Sequence, residues 1–198
     1  MAEKWLKTPT LHDFHDPLIV IAMSGGVDSS VAALKIKEAG FRCSALFIKS
    51  WDDRDTSGMC QWETDVADAL DVCEHLDIPI NTVDLTEEYW ELVFQDFLAK
   101  ISEGRTPNPD VLCNKEIKFN TFKVKAQELG GDVIATGHYA KIRHNSIGIE
   151  LRKASDKNKD QSYFLSSLRQ NQLNNVVFPL GESDKQETRK LARICGLK

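Results

Sequence analysis

Several common sequence signals are missing from this chain of 198 residues. No apolar run approaches the roughly 20 residues that a membrane-spanning helix needs. The first eighteen residues contain Glu3, Asp13 and Asp16, no arginine and no apolar core, unlike a mitochondrial presequence or a signal peptide. The absence of these signals predicts a cytoplasmic protein that makes no contact with a membrane.

The chain also lacks the cysteine spacing of a structural metal site. Cys43, Cys60, Cys73, Cys113 and Cys195 form no Cys-x-x-Cys pair, and no histidine lies near them at zinc-ligand spacing. We therefore predict no metal held by protein ligands and mostly reduced thiols. Cys73 falls on the apolar face of a predicted helix and is expected in the core, and Cys195 is expected in the core or on the surface.

Two familiar phosphate-binding motifs are absent, but a third kind of loop is present. No lysine follows a glycine pair at Walker A spacing, and there is no Gly-x-Gly-x-x-Gly. Instead Ser24–Ser30 reads Ser-Gly-Gly-Val-Asp-Ser-Ser, between an apolar run and a predicted helix. Gly25 and Gly26 allow close backbone approach, and the serines and free helix N–H groups can donate to phosphate oxygens. The pattern predicts a phosphate-binding loop, with a plain Gly-Gly turn as the alternative.

Strand and helix patterns alternate along the chain. Apolar runs predict strands, and periodic segments predict helices with crossovers of ordinary length. The predicted strands are 18–23, 43–48, 80–85 and 132–136; the predicted helices are 31–39, 63–77, 87–101, a helix ending near 129, and 184–195. This order predicts an α/β fold with a parallel twisted sheet and helices on both faces, with ligands bound beyond the carboxyl ends of the strands.

Charge is distributed unevenly. Residues 1–100 hold 8 Lys or Arg against 19 Asp or Glu, whereas residues 101–198 hold 17 against 11. The basic second half allows contact with a polyanion such as RNA, and two solvated faces of opposite sign are the alternative.

One cysteine stands in a setting that suggests chemistry. Cys113 precedes a predicted helix that Asn114 can cap, with Lys115 and Lys118 in its first turns. A helix N-terminus and nearby cations favour the nucleophilic thiolate, although a simply buried cysteine is the alternative. Asp110, on a loop stiffened by prolines, can polarise or deprotonate a base or thiol, or can serve only as a turn residue.

Several motifs together resemble the tRNA-specific 2-thiouridylases, members of the PP-loop ATP pyrophosphatase superfamily. The motifs are the Ser24–Ser30 loop, Thr106–Phe119, Ala135–Tyr139, Lys159–Leu165 and Phe178–Gly181. The resemblance covers residues 18–198, the front half of a typical member.

The resemblance implies an adenine nucleotide alpha hydrolase-like fold and an ATP site. It divides the chain into an N-terminal extension (1–17), a PP-loop ATP-binding catalytic domain (18–165) and the start of a truncated, helical central domain (166–198). Mg²⁺ is expected with ATP, without assigned ligands. The implied ATP contacts are Ala22, Met23, Ser24, Gly25, Gly26, Val27, Asp28, Ser29, Ile48 and Gly137.

The resemblance also implies the reaction, which is 2-thiolation of the wobble uridine at position 34 of a tRNA. The C2 oxygen would be adenylated, and sulfur from a cysteine persulfide would replace AMP, with a cysteine desulfurase or relay protein as donor. Cys113 is the implied nucleophile, with Asp110 beside it. Asn108, Pro109 and Asp110 would contact the base, and Lys159, Asp160 and Gln161 would contact the tRNA.

The sequence departs from the family at two points. No Cys-Phe-Ile-Gly segment supplies the second cysteine that relatives use to carry the persulfide and to pair with the first. Ile48 replaces a methionine that is usual beside the nucleotide, a swap of similar volume. Two alternatives therefore remain, a truncated ATP- or tRNA-binding fragment and another PP-loop ligase or amidotransferase.

Overall fold

The computed structural model describes residues 4–51 and 61–197. Cys60 lies outside these ranges. Within the described ranges, no helix combines the length and the apolar character needed to cross a membrane.

A five-stranded parallel sheet forms the centre of the fold, in the order β3-β2-β1-β4-β7. Its fifth strand, only two residues long, was not predicted, whereas the other four were predicted within about two residues of their ends. A separate antiparallel hairpin pairs β5 with β6. The strands are β1 (Leu18–Met23), β2 (Arg42–Lys49), β3 (Ile80–Asp84), β4 (Val133–Ala135), β5 (Ala140–Asn145), β6 (Gly148–Lys153) and β7 (Val176–Val177).

Helices flank the sheet, and two of them are continued through π-helical turns. The π segments Trp90–Phe94 and Cys113–Thr121 join α4 to α5 and α6 to α7. Short 3₁₀ helices span Lys4–Lys7 and Ser162–Leu165. The α-helices are α1 (Pro9–His12), α2 (Val27–Glu38), α3 (Gln61–His75), α4 (Thr86–Tyr89), α5 (Gln95–Ser102), α6 (Pro109–Leu112), α7 (Phe122–Glu128), α8 (Gln170–Leu173) and α9 (Lys185–Ile194).

The central strand β1 is apolar throughout because both of its faces are buried. Ile19 and Ile21 pack into a core cluster with residues of α2, α3 and α9. Val20 belongs to a second cluster, with Phe119 and Phe122. Alternate side chains of one strand thus face helices on opposite sides of the sheet. The predicted fold class is confirmed.

The apolar side chains of the helical segment 86–102 are buried over only part of its length. Val93 is fully buried, but Trp90, Leu98 and Ile101 are 44%, 45% and 48% exposed. A π-helical turn has i→i+5 hydrogen bonds, so residues at α-helical spacing no longer share one face. In addition, this helix packs on the residues 109–121 beside it and extends from an edge of the sheet.

Residues near the N-terminus pack onto the fold. Trp5 and Leu11 are buried, and the Trp5 ring lies 6.3 Å from that of Phe41. The Thr10 hydroxyl lies 3.1 Å from Nε2 of His144 in β5. Trp5 also borders a small cavity together with Val176 and Val177, so this segment lies beside the edge strand β7.

Residues 166–197 share the sheet and core of the preceding residues. β7 pairs with β4, and Ala192 and Leu197 lie in the same core cluster as α2. The helix predicted at 184–195 is present as α9, with Asp184 as its N-cap. The division at residue 165 remains a prediction.

Candidate functional site

A cavity of about 390 Å³ opens at the carboxyl ends of β1, β2 and β4, where a parallel sheet binds ligands. It is called the main cavity below. Many predicted site residues that are distant in sequence meet in its wall. These are Ala22, Met23, Ser24, Asp28, Ser29, Ile48, Cys113, Gly137 and Gln161.

The phosphate loop (Ser24–Ser30) is organised by its own hydroxyl groups. The Ser29 hydroxyl donates to the carbonyl of Gly26 and lies 3.1 Å from the Ser24 hydroxyl. The backbone N–H of Ser24 also donates to Ser29 Oγ. These contacts place two hydroxyls and the start of α2 at the cavity wall, an arrangement suited to phosphate oxygens.

The two loop glycines have different surroundings. Gly25 has a φ of +77°, and a Cβ there would lie 2.7 Å from the carbonyl oxygen of Asp65. Its close approach is therefore to the backbone of α3. Gly26 is the N-cap of α2 with ordinary φ, and a Cβ there would meet only the Ser24 hydroxyl, at 3.6 Å. Gly25, Gly26 and Val27 do not line the main cavity.

Asp28 lies in the first turn of α2 and is held from two sides. Its Oδ1 accepts hydrogen bonds from Lys185 Nζ at 2.5 Å and from the Tyr139 hydroxyl at 2.9 Å. Gly137 packs against the same turn, because a Cβ at Gly137 would lie 2.8 Å from the carbonyl carbon of Asp28. The motif containing Gly137 thus fixes the loop as well as lining the cavity.

Cys113 lines the main cavity, but its expected activation by a helix N-terminus is wrong. The helix begins earlier, at Pro109, with the Asn108 side chain accepting from the N–H of Asp110. Asn114 caps nothing; it is buried and donates to the carbonyl of Phe164. Burial raises the pKa of Cys113, against an opposing effect of Lys118 and with a further increase from Asp110. The thiol is therefore protonated at neutral pH in this conformation.

Three predicted base contacts lie outside the main cavity. Asn108 and Pro109 line a second cavity of about 290 Å³, together with Phe97 and Leu112. Asp110 is exposed, yet it is near enough to Cys113 to raise the pKa of the thiol. The cysteine helix (residues 109–128) therefore presents these side chains toward more than one surface.

Of the three predicted tRNA contacts, one lines the main cavity and two do not. Gln161 reaches the main cavity and pairs with Tyr139 through two hydrogen bonds, N–H of Tyr139 to Oε1 and N–H of Gln161 to the Tyr139 carbonyl. Asp160 accepts from the N–H of Ala154 and the Ser162 hydroxyl, so it shapes the loop. Lys159 is exposed.

Sequence reasoning missed several residues of the site. His138 lines the main cavity, and burial lowers its pKa to about 3, so the ring is neutral. Its Nδ1 lies 2.8 Å from the Thr136 hydroxyl. Their position beside Gly137 at a strand end was an available signal. Tyr89 was also missed, and it lies close enough to Cys113 for the two to interact electrostatically. Lys118, which was expected near Cys113, does line the cavity.

No cluster of three or more His, Cys, Asp or Glu side chains suited to a metal occurs in the part of the chain that the structure describes. A site with one carboxylate and two hydroxyls does occur at Asp28, Ser24 and Ser29. Mg²⁺ is commonly held by one or two carboxylates and by substrate phosphates, so these oxygen donors fit the ion.

Comparison with known protein families shows the family to which this chain belongs. A family model described as "tRNA methyl transferase HUP domain" matches residues 18–198. The chain belongs to this HUP domain family. A relative from Lactococcus lactis, a tRNA-specific 2-thiouridylase, is 50% identical over 90% of this chain, which confirms the resemblance seen in the motifs. The chain spans about half the length of that relative, 48%.

Solved structures show how widely the fold of this HUP domain is shared. The NMN synthetase of Francisella tularensis has a TM-score of 0.56 at 18% identity, with 98% of this chain and 68% of the synthetase covered. A 4-thiouridine synthetase in complex with RNA and bound ATP also has a TM-score of 0.56 at 18% identity, covering 91% of this chain and 41% of that one. At this identity the likeness concerns the fold alone.

Proposed function

We propose that this chain carries the ATP-dependent adenylation site of a tRNA-uridine 2-sulfurtransferase acting on the wobble uridine in the cytoplasm. The observation that carries the proposal is the meeting of the phosphate loop and Cys113 in one cavity. The 50% identity to a 2-thiouridylase supports the same reading. A ligase or amidotransferase of the same fold has no need of a thiol at this place.

In the first half-reaction, the phosphate loop binds the ATP phosphates while Ile48 and Gly137 border the adenosine. The uridine C2 oxygen bonds to the α phosphorus, and the bond to the β-phosphate oxygen breaks to release pyrophosphate. Bound Mg²⁺ would neutralise charge that develops on the pyrophosphate. The Ser24 hydroxyl and the free N–H groups at the start of α2 donate to the phosphate oxygens, and Asp28 provides a carboxylate at the cavity wall.

In the second half-reaction, the terminal sulfur of a persulfide supplied by a cysteine desulfurase or relay protein attacks C2, and AMP leaves. The Cys113 thiolate then attacks the inner sulfur, which leaves 2-thiouridine and a disulfide that a thiol must reduce. Asp110 or the bound RNA accepts the Cys113 proton. This order of steps is compatible with a protonated Cys113 in the free protein, because the reactive thiolate is needed only after adenylation.

A base must leave its stack to expose C2 to this cavity. Exposed cations on the β5–β6 hairpin, which are Arg143, Arg152 and Lys153, are available for the phosphates of the RNA backbone. We include Asn108–Asp110 as contacts to the base and Lys159 and Gln161 as contacts to the tRNA, with Asp160 supporting that loop.

The deciding measurement is release of AMP and pyrophosphate from ATP by this chain, with and without unmodified tRNA that bears a wobble uridine. We expect release to depend on the tRNA. A tRNA with cytidine at the wobble position is the matched control. Equal release with both tRNAs would count against adenylation of uridine.

A further inference from the structure

Lys185 makes a contact with the phosphate loop that none of the motifs anticipates. It lies at the start of α9, 157 residues from Asp28 in sequence, and its Nζ is 2.5 Å from Asp28 Oδ1. The Lys185 side chain is only 16% exposed and that of Asp28 only 34%. A cation so nearly buried requires a partner, and Asp28 provides the carboxylate.

Further contacts fix this ion pair in place. The hydroxyl of the fully buried Tyr139 donates to the same Asp28 oxygen, at 2.9 Å, and its ring centroid lies 5.9 Å from Lys185 Nζ. The backbone N–H of Lys185 donates to Asp156. Burial raises the pKa of Tyr139, so the phenol remains a donor.

The arrangement uses one carboxylate oxygen and leaves the other available. Both donors reach Oδ1, and no donor within residues 4–51 and 61–197 reaches Oδ2 of Asp28. Asp28 also lines the main cavity beside Ser24 and Ser29. A carboxylate held at one oxygen has a fixed orientation, and Lys185 offsets its charge beside the place where phosphates would bind.

We propose that Lys185 is a positioning residue of the nucleotide site, which acts through Asp28. It holds the carboxylate in the orientation that meets the Mg²⁺-bound phosphates of ATP, and it reduces the repulsion between that carboxylate and the phosphates. Through Lys185, α9 becomes a structural part of the nucleotide site. This inference rests on the proposed ATP-dependent function.

The test measures ATP affinity by calorimetry for the 198-residue chain at low and at saturating Mg²⁺. Lys185→Met leaves the Asp28 charge uncompensated, so we expect ATP affinity to fall roughly tenfold at low Mg²⁺. Added Mg²⁺ neutralises that charge, and the loss should shrink. Lys185→Arg keeps the charge and should recover most of the affinity. Lys190→Met, an exposed lysine of the same helix, is the control.

A double variant separates positioning from a direct or merely structural role. Adding Asp28→Asn to Lys185→Met removes the uncompensated charge, so the double variant should bind ATP more tightly at low Mg²⁺ than Lys185→Met alone. Unchanged affinity in Lys185→Met, an equal loss at every Mg²⁺ concentration, or no gain in the double variant would each overturn the inference. Failure of the wild-type chain to bind ATP would instead remove the proposed function on which it rests.

Discussion

The phosphate loop and the cysteine helix border the same cavity, but the fold prepares them to different degrees. In the loop, Ser24 and Ser29 hydrogen bond to each other, and Asp28 is held by two donors. On the helix, burial keeps the Cys113 thiol protonated, and Asp110 lies exposed outside the cavity. We infer that the nucleotide geometry is built into the fold, whereas thiol reactivity depends on substrates that arrive later.

The largest expected effect is a variant that abolishes sulfur transfer at the cysteine helix and leaves ATP binding at the phosphate loop intact. Cys113→Ala removes the proposed sulfur-transfer nucleophile, so 2-thiouridine formation with a persulfide donor should fall by roughly 10³-fold or more. ATP affinity should stay within about twofold, since the loop contacts are untouched. Cys195→Ala, a half-buried cysteine that does not line the main cavity, is the control, with 2-thiouridine measured in digested tRNA. Retained thiolation in Cys113→Ala would show that another group does this chemistry.

A second comparison lies within the loop itself. Gly25→Ala forces a side chain to a φ of +77° and against the Asp65 carbonyl, so it should lower the free energy of unfolding by about 2 kcal/mol or more. Gly26→Ser keeps an accepted N-cap and should change it by less than about 0.5 kcal/mol. Thermal unfolding checks both. Equal stability in the two variants would mean that the loop is less rigid than its contacts indicate.

The charges around Cys113 allow a test of how reactive the thiol on the cysteine helix is before substrates bind. Because burial raises the thiol pKa, alkylation by iodoacetamide should be slow at neutral pH and should accelerate as pH rises toward that pKa. Asp110→Asn removes a charge that raises the pKa, so alkylation at a given pH should be roughly threefold faster. Lys118→Met removes a charge that lowers it and should slow the reaction. A reaction rate that already levels off at neutral pH would contradict a protonated thiol.

The smallest effect concerns the start of the cysteine helix. Asn108→Ala removes the acceptor for the N–H of Asp110 and should lower the free energy of unfolding by about 1 kcal/mol. Asn108→Asp keeps the cap, so its stability should match that of the wild type in urea unfolding. Both variants lack the amide donor, so a loss of tRNA-stimulated pyrophosphate release in the Asp variant, whose stability is unchanged, would assign Asn108 a role in base recognition.

Sequence reasoning worked best where the signals were local. The strand, loop and helix around Ser24–Ser30 could be predicted because an apolar run, two glycines and a periodic segment follow one another directly. The start of the cysteine helix was also within reach, because Asn108 before Pro109 is a recognisable N-cap and first-turn pair. Asn114 can cap a helix only if that helix begins after Cys113, whereas the helix begins at Pro109.

Long-range contacts and short elements were beyond the sequence. Val176–Val177 is too short to show a period, and it becomes a strand only because β4 offers a free edge. The pairing of Lys185 with Asp28 spans most of the chain and leaves no local pattern. The π-helical turns, which turned Trp90 toward solvent, follow from packing between helices and have no residue code of their own.

The N-terminal segment that lies beside β7 has a consequence for self-association of the protein. β7 pairs with β4 and, within residues 4–51 and 61–197, with no other strand, and an unpaired strand edge can recruit a strand from a second chain. Trp5 stands next to β7. We therefore expect residues 4–17, which lie outside the matched family region, to limit aggregation at this edge, and we expect a chain that starts at Leu18 to self-associate more readily in size-exclusion chromatography.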